Sequence, residues 1–141
     1  MSKLRADGMA ELEFAQLNVM VVVDETFSQT LVVRLLEGLG VASVTAAANG
    51  ADALAKFKAA KARVHLVICD IEMPEMGGFE LIRRIRFGAV PSYKEVPVVM
   101  LTGKDSDKNA QNARIHRVSG FLVKPPKANT LKNAILHAFE G

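Results

Sequence analysis

Residues 66–78 read LVICDIEMPEMGG, and this stretch does most to decide the fold. It opens with an apolar run without polar alternation, and the run ends at Asp70. Continuous runs of Val, Ile and Leu are typical of parallel strands that are covered on both faces. The stretch therefore predicts a buried parallel strand with an aspartate at its carboxyl end.

Outward from this strand, apolar runs and helical periodicity alternate along the chain. Further predicted strands lie at residues 19–23, 41–47, 96–101 and 121–123. Apolar residues at spacings of three and four predict helices at residues 27–39, 52–60, 79–87, 108–118 and 127–139. In the first helix the predicted inward stripe is Leu31, Leu35 and Leu39. Five strand–helix repeats predict an α/β fold in which helices cover both faces of a parallel sheet.

The composition suits one globular domain. The chain has 141 residues, half of them hydrophobic, with a formal net charge of +3 and a single cysteine. No intrachain disulfide is possible, and we expect neither a membrane segment nor a signal peptide. The positive charges are scattered, which argues against a nucleic-acid patch. We expect a cytoplasmic protein with an extension at residues 1–17, either a short helix or flexible, and one domain at residues 18–141.

Chemically distinctive side chains follow four of the predicted strands. The set is Asp24, Glu25, Asp70, Thr102 and Lys124. Since parallel strands present their carboxyl ends at one edge, we expect these groups to converge there. Two carboxylates about 4 Å apart repel by about 4 kcal/mol at an effective dielectric constant near 20. A hard divalent cation such as Mg²⁺ offsets this repulsion, and the set suits phosphoryl transfer to a carboxylate.

Each of these residues also has a simpler interpretation. A lone aspartate after a strand is usually a turn or helix-capping residue. Asp24 and Glu25 would then only cap the helix that follows. The joint occurrence of the whole set favours a functional site.

Four ordered motifs carry a family resemblance. Residues 21–25 read VVVDE, residues 97–103 read PVVMLTG and residues 120–125 read GFLVKP, in addition to the stretch quoted first. Over residues 18–139 the chain resembles the CheY-like receiver domains of bacterial two-component response regulators. The resemblance implies a three-layer flavodoxin-like (βα)5 fold with strand order 2-1-3-4-5, the order for which this family is a standard example.

The resemblance also implies roles for individual residues. Asp70 matches the phosphoacceptor, and Mg²⁺ is expected to bind Asp24, Glu25, Asp70 and the backbone carbonyl of Glu72. Lys124 matches the lysine that contacts the phosphoryl group.

Five further positions match the family's switch and tuning elements. Thr102 matches the switch hydroxyl, and Phe121 matches an aromatic residue whose rotamer reports activation. The bond before Pro125 is expected to be cis. Glu72 and Lys104 occupy the positions that tune dephosphorylation, and they either pair across the site or remain two solvated charges.

These matches imply a stand-alone switch. A histidine kinase or a histidine phosphotransfer protein would donate the phosphoryl group. A downstream protein would bind the face formed by the fourth predicted helix, the fifth strand and the fifth predicted helix. We expect a monomer or a phosphorylation-dependent dimer without a DNA-binding domain, and no enzyme activity beyond slow self-dephosphorylation.

Some positions depart from the family pattern. Pro126 replaces an apolar residue, Gly77-Gly78 replaces an Asp/Asn-Gly pair, and Arg117 replaces a small residue. We expect the glycine turn to survive because glycine allows a positive φ. A basic segment consists of Lys104, Lys108, Arg114, His116 and Arg117, and it is either a solvated helix face or a surface for an acidic partner or an anionic nucleotide.

Two rival functions remain. One is a degenerate receiver that serves as a constitutive interaction module. The other is an aspartyl-phosphate phosphatase of the haloacid-dehalogenase type, which Asp24-Glu25-Thr26 does not match in motif.

Overall fold

The computed structural model describes residues 13–103 and 114–140, and it shows alternating strands and helices. The strands are β1 (Asn18–Val22), β2 (Ser43–Ala47), β3 (Leu66–Asp70), β4 (Val98–Thr102) and β5 (Gly120–Val123). The helices in the described residues are α1 (Thr26–Leu39), α2 (Gly50–Ala59), α3 (Gly78–Arg86) and α4 (Ala128–Ala138). Short 3-10 helices occur at Phe14–Gln16 and Pro91–Tyr93.

All neighbouring strands pair in parallel, in the order β2-β1-β3-β4-β5. This confirms the predicted strand order and the α/β fold class. The register aligns Asp70 with Leu101 and Thr102 with Val123. The carboxyl ends of β3, β4 and β5 therefore lie side by side at one edge of the sheet.

A hydrophobic cluster covers each face of the sheet, which gives the three predicted layers. On one face α2 and α3 pack against the sheet through Phe57, Leu81, Ile82 and Ile85. On the other face α1 and α4 contribute the buried residues Val32, Leu36, Leu131 and Ile135. Burial of this aliphatic surface is the main force that holds the layers together.

The inward stripe of α1 differs from the predicted one. Val32 and Leu36 are fully buried, whereas Leu31, Leu35 and Leu39 are only half-buried. Leu35 and Leu39 still pack against the core. The buried stripe thus follows the helical spacing 32, 35, 36 and 39, which leaves Leu31 at its margin.

Two predicted segments fall largely outside the described residues. Of the fourth predicted helix, residues 108–113 lie outside them, and Arg114 and Ile115 are helical. Of the expected extension, residues 1–12 lie outside them, and Leu17 is fully buried just before β1. None of the helices in the described parts of the chain has the length and apolar character that crossing a membrane requires.

Candidate phosphoacceptor site

Asp70 ends the central strand β3, and it is almost completely buried, with 2% of its surface exposed. The ammonium group of Lys124 donates a hydrogen bond to Oδ2 of Asp70 at 2.8 Å. A buried carboxylate is costly unless it is paired and hydrogen-bonded. Lys124 supplies both the counter-charge and the donor, so the pair is the electrostatic centre of this edge of the sheet.

Lys124 reaches Asp70 from two strands away. Its backbone N–H donates to the carbonyl oxygen of Thr102 at 2.8 Å, which continues the pairing of β4 and β5 beyond Val123. The peptide bond between Lys124 and Pro125 is cis, the geometry that the resemblance implies. From this anchored position the long side chain passes the end of β4 and meets the carboxylate.

Thr102 ends β4, between the strands that carry Asp70 and Lys124, and it is 4% exposed. Its backbone lies one residue beyond Leu101, the register partner of Asp70. A threonine at this point brings a hydroxyl group to the same edge as the carboxylate and the ammonium group. Three predicted site residues therefore end three adjacent strands.

Glu25 is the N-cap of α1. Its Oε2 accepts a hydrogen bond from the backbone N–H of Phe27, and its Oε1 accepts bonds from the N–H and the hydroxyl of Ser28, at 2.8–2.9 Å. The Ser28 hydroxyl is the largest of the influences that hold the pKa of Glu25 below its usual value, followed by the two backbone bonds. The simpler interpretation of Glu25 as a cap is the one that this structure shows.

The three carboxylates do not form a ready metal site in this conformation. Asp24 is exposed just beyond β1, while the Glu25 carboxylate is turned into the first turn of α1. Within residues 13–103 and 114–140, no three His, Cys, Asp or Glu side chains are grouped closely enough to hold a metal ion. In this conformation the Glu25 carboxylate is engaged by the cap of α1, so the shared metal-binding role of Asp24, Glu25 and Asp70 stays a prediction.

The chemistry of these donors nevertheless fits Mg²⁺. They are all carboxylate oxygens, which are the ligands that this hard cation prefers. Lys124 is paired with Asp70, and Asp24 and Glu25 carry two further negative charges just after β1. Asp24 and Glu25 are both open to solvent, so a hydrated divalent cation can reach them.

The loop after Asp70 is fixed by close packing at two glycines. A Cβ on Gly78 would overlap the backbone carbonyl oxygen of Asp70 and lie 2.8 Å from Cε of Met100. A Cβ on Gly50 would likewise collide with the side chain of Met76. The residues with positive φ include Glu75, but neither Gly77 nor Gly78. The expected reason for the glycine pair is therefore wrong, because Gly78 is required by close approach and not by a left-handed backbone.

Phe121 lies on β5, three residues before Lys124, and it packs half-buried against the cluster that contains α2 and α3. Beside it, β5 and α4 form a groove whose lining includes Phe121, Lys124, Thr130, Ala134 and His137. Pro126 is buried at the start of α4, so its ring occupies an apolar position despite the departure from the family pattern.

The basic segment is described only in part. Lys104 and Lys108 lie outside the described residues, so both interpretations of Lys104 and the exposed Glu72, an ion pair or two solvated charges, stay open. Arg114 and Arg117 are exposed, and the ring of His116 lies 5.4 Å from that of Phe79.

Sequence reasoning missed Arg86. Its guanidinium group donates to the backbone carbonyl oxygens of Lys94, His116 and Arg117 at 2.8–3.1 Å. The run RRIRF at residues 83–87 is its only signal, because bonds to distant carbonyls leave no trace in the local sequence.

Cys69 is fully buried beside Asp70, and its thiol donates to the Asp70 backbone carbonyl at 3.3 Å. Burial, with a smaller effect of Asp70, raises the pKa of the Cys69 thiol. The group therefore remains protonated and serves as core packing, not as a nucleophile.

Comparison with known proteins agrees with this geometry. Residues 19–136 match the sequence model of the family described as response regulator receiver domain. The chain is 29% identical over 119 residues to the chemotaxis protein CheY1 of Helicobacter pylori, and the match covers 84% of this chain and 94% of that protein. It is 32% identical over 117 residues to the CAI-1 autoinducer sensor kinase/phosphatase CqsS of Vibrio cholerae, covering 83% of this chain but 16% of the kinase. The solved chemotaxis protein CheY4 of Vibrio cholerae superposes with a TM-score of 0.79 and 34% identity, covering 88% of this chain and 99% of that one.

Proposed function

Because the chain belongs to the response regulator receiver domain family, we propose that it is a stand-alone phosphorylation switch with Asp70 as the phosphoacceptor. The observation that carries this proposal is the 2.8 Å contact between Lys124 and the buried Asp70 carboxylate, beside Thr102. A match over 94% of the length of CheY1 supports the stand-alone form.

The proposed reaction is transfer from a phosphohistidine of a histidine kinase or phosphotransfer protein. A carboxylate oxygen of Asp70 attacks the phosphorus, the P–N bond of the donor breaks, and its electron pair returns to the imidazole. The product is an acyl phosphate. Its phosphoryl oxygens accept the hydrogen bond that the ammonium group of Lys124 donates to Asp70 before the transfer. Lys124 thus neutralises charge in both states, which favours in-line transfer.

The residues that would hold Mg²⁺ are Asp24, Glu25, Asp70 and the backbone carbonyl of Glu72. The bound ion would supply further neutralisation of the phosphoryl oxygens. Glu25 has to share its carboxylate between the cap of α1 and this role, which couples the start of α1 to the site.

The phosphoryl group adds nearly two negative charges and three acceptor oxygens at Asp70. The hydroxyl of Thr102 then donates to one of these oxygens, and Phe121 turns toward the space that Thr102 leaves. These movements shift the equilibrium between two conformations of the face that contains β5 and α4. The affinity of this face for a downstream protein changes with that equilibrium. We propose that the protein acts in the cytoplasm and turns over no substrate beyond its own acyl phosphate.

Labelling with radioactive acetyl phosphate and Mg²⁺ tests the proposal. We expect the wild-type protein to become labelled, the Asp70→Asn variant to remain unlabelled, and EDTA to abolish labelling. Asp52→Asn is the matched control, because the Asp52 carboxylate accepts from the backbone N–H of Ala48 and pairs with Lys56, not with Lys124, so that variant should be labelled normally. Equal labelling of wild type and Asp70→Asn would refute the proposal.

A constitutive interaction module is the second candidate, and the capping role of Glu25 favours it because the capped carboxylate is not presented to a metal. The same experiment separates the two functions. Absence of label in the correctly folded wild-type protein, with a known receiver labelled in parallel, would favour the module.

A further inference from the structure

A surface depression of about 520 Å³ lies between the end of α3 and the segment that precedes β5. We call it the arginine-flanked patch, and it is lined by Arg83, Arg86, Phe87, Ile115, His116 and Arg117. Phe87 is 80% exposed and Ile115 is 69% exposed. Single exposed apolar residues are normal on protein surfaces, whereas contiguous apolar surface bordered by polar residues is typical of an interaction site.

The patch is held in shape from below by Arg86. The three hydrogen bonds of its guanidinium group join the end of α3 to the carbonyl groups of His116 and Arg117 on the opposite wall, and to that of Lys94. The ring contact between His116 and Phe79 adds a second link between the walls. Since both walls are tied together, little conformational entropy is lost when a ligand docks.

The patch carries positive charge without full compensation. The three bonds of Arg86 end on neutral carbonyl groups, and burial followed by the nearby Arg117 lowers the pKa of Arg86. Arg117 is 3.6 Å from Glu95, but both side chains are exposed and such a pair is weak. Arg83 is already paired with Glu80. A negatively charged group of a partner could therefore bind the guanidinium groups of Arg86 and Arg117, next to Phe87 and Ile115.

We propose that the arginine-flanked patch docks an acidic segment of a partner protein, with an apolar side chain of that segment between Phe87 and Ile115. The charge and the apolar surface together select a peptide of this kind. Phe87 and Ile115 offer apolar surface that a continuous phosphate backbone cannot use, which disfavours nucleic acid. A second copy docked through the same patch would bring guanidinium groups face to face. The proposal does not depend on phosphorylation of Asp70.

Fluorescence anisotropy with the unphosphorylated protein tests the proposal. The probe is a short fluorescein-labelled peptide with leucine and phenylalanine at its centre and aspartate and glutamate at both ends. We expect saturable binding that weakens about tenfold in Arg117→Glu and in the double variant Phe87→Ser/Ile115→Ser, in the range of interface hot spots. A peptide with serine in place of the two apolar residues should bind about tenfold more weakly to wild type.

Matched controls report the specificity of the patch. Lys132→Glu makes the same charge change on α4, and Phe27→Ser removes an equally exposed apolar side chain, 76% exposed, from α1. Both variants should bind the probe within about twofold of wild type, and circular dichroism should show all variants folded. Absence of probe binding, or equal binding by the patch variants and wild type, would overturn the proposal. Tighter competition by single-stranded DNA, or patch-dependent dimers in sedimentation, would overturn it in favour of those occupants.

Discussion

At Gly78 the path of the backbone allows no side chain. The residue begins α3 directly beneath the carbonyl group of Asp70, and its N–H donates to the carbonyl of Ile71 at 2.8 Å. Any Cβ there would push on the backbone of Asp70 and on the buried Met100. Gly78 therefore controls the position of Asp70 through steric exclusion, even though it takes no part in the chemistry.

We expect Gly78→Ala to lower the free energy of unfolding by about 1–3 kcal/mol, the usual cost of overpacking. It should also slow labelling of Asp70 by acetyl phosphate, because the carboxylate is displaced. Urea unfolding and the labelling rate are the measurements.

The control is Gly38→Ala on α1, where a Cβ would meet no atom within 4 Å. Alanine is the better helix former, so this variant should be as stable as wild type or more stable by about 0.5–1 kcal/mol. If Gly78→Ala behaves like the control, the steric argument fails.

The sequence predicts which side chains meet at a site when their place follows directly from their position at the end of a strand. Asp70, Thr102 and Lys124 each come directly at the end of an apolar run, and parallel pairing brings such residues to one edge. The capping bonds of Glu25 and the close approach at Gly78 depend on the backbone conformation after the strand. No residue-type pattern encodes these, so the sequence left Glu25 with two interpretations and gave a wrong reason for Gly78.

At the scale of the element, α1 begins on a carboxylate that the proposed function also requires. The depressed pKa of Glu25 means that the cap stabilises the fold fully above the ordinary glutamate pKa of about 4.3. This stabilisation is lost as the pH falls through the lower pKa of the folded protein. Below that pH the carboxyl group is protonated in both the folded and the unfolded state.

We expect Glu25→Gln to unfold at a lower temperature than wild type near neutral pH, since the charged acceptor at the helix start is lost. The difference in melting temperature should shrink as the pH is lowered from about 6 to about 3. Glu37→Gln, on an exposed position of the same helix, is the control and should show no such trend. A Glu25→Gln difference that is constant over this pH range would contradict the assignment of the cap.

The sequence predicts the buried face of a helix when the spacing of apolar residues within that helix determines it. In α3 the apolar residues Leu81, Ile82 and Ile85, whose spacing predicts the helix, are fully buried. For α1 the regular spacing of three leucines pointed to a stripe that is one position away from the most buried one. The rotation of a helix about its own axis depends on how it packs against the sheet. In α1 this packing places Val32 and Leu36, next to the predicted leucines, innermost. Periodicity cannot order strands either, and the order 2-1-3-4-5 came from the resemblance.

At the scale of the whole molecule, β5 links Asp70, the proposed phosphoacceptor, with the groove beside α4. Lys124 at its end contacts Asp70, while Phe121 near its start contacts the opposite cluster and the groove beside α4. We propose that a change of charge at Asp70 alters the position of Lys124, and that the short strand transmits this change toward Phe121. Coupling through a packed element with two arrangements is the physical requirement for such a switch.

Phe121→Trp provides a reporter for this coupling, because the chain contains no other tryptophan. Adding acetyl phosphate with Mg²⁺ should shift its emission to shorter wavelength, since the indole moves from a half-buried to a more buried position. The same reporter in an Asp70→Asn background should not respond, and chelation of Mg²⁺ should abolish the response in the parent. If the Asp70→Asn background shows an equal shift, the change at Phe121 arises from ligand binding elsewhere. If the parent is labelled at Asp70 without any change in emission, phosphorylation and β5 are not coupled, and the output of the switch has to lie on another face.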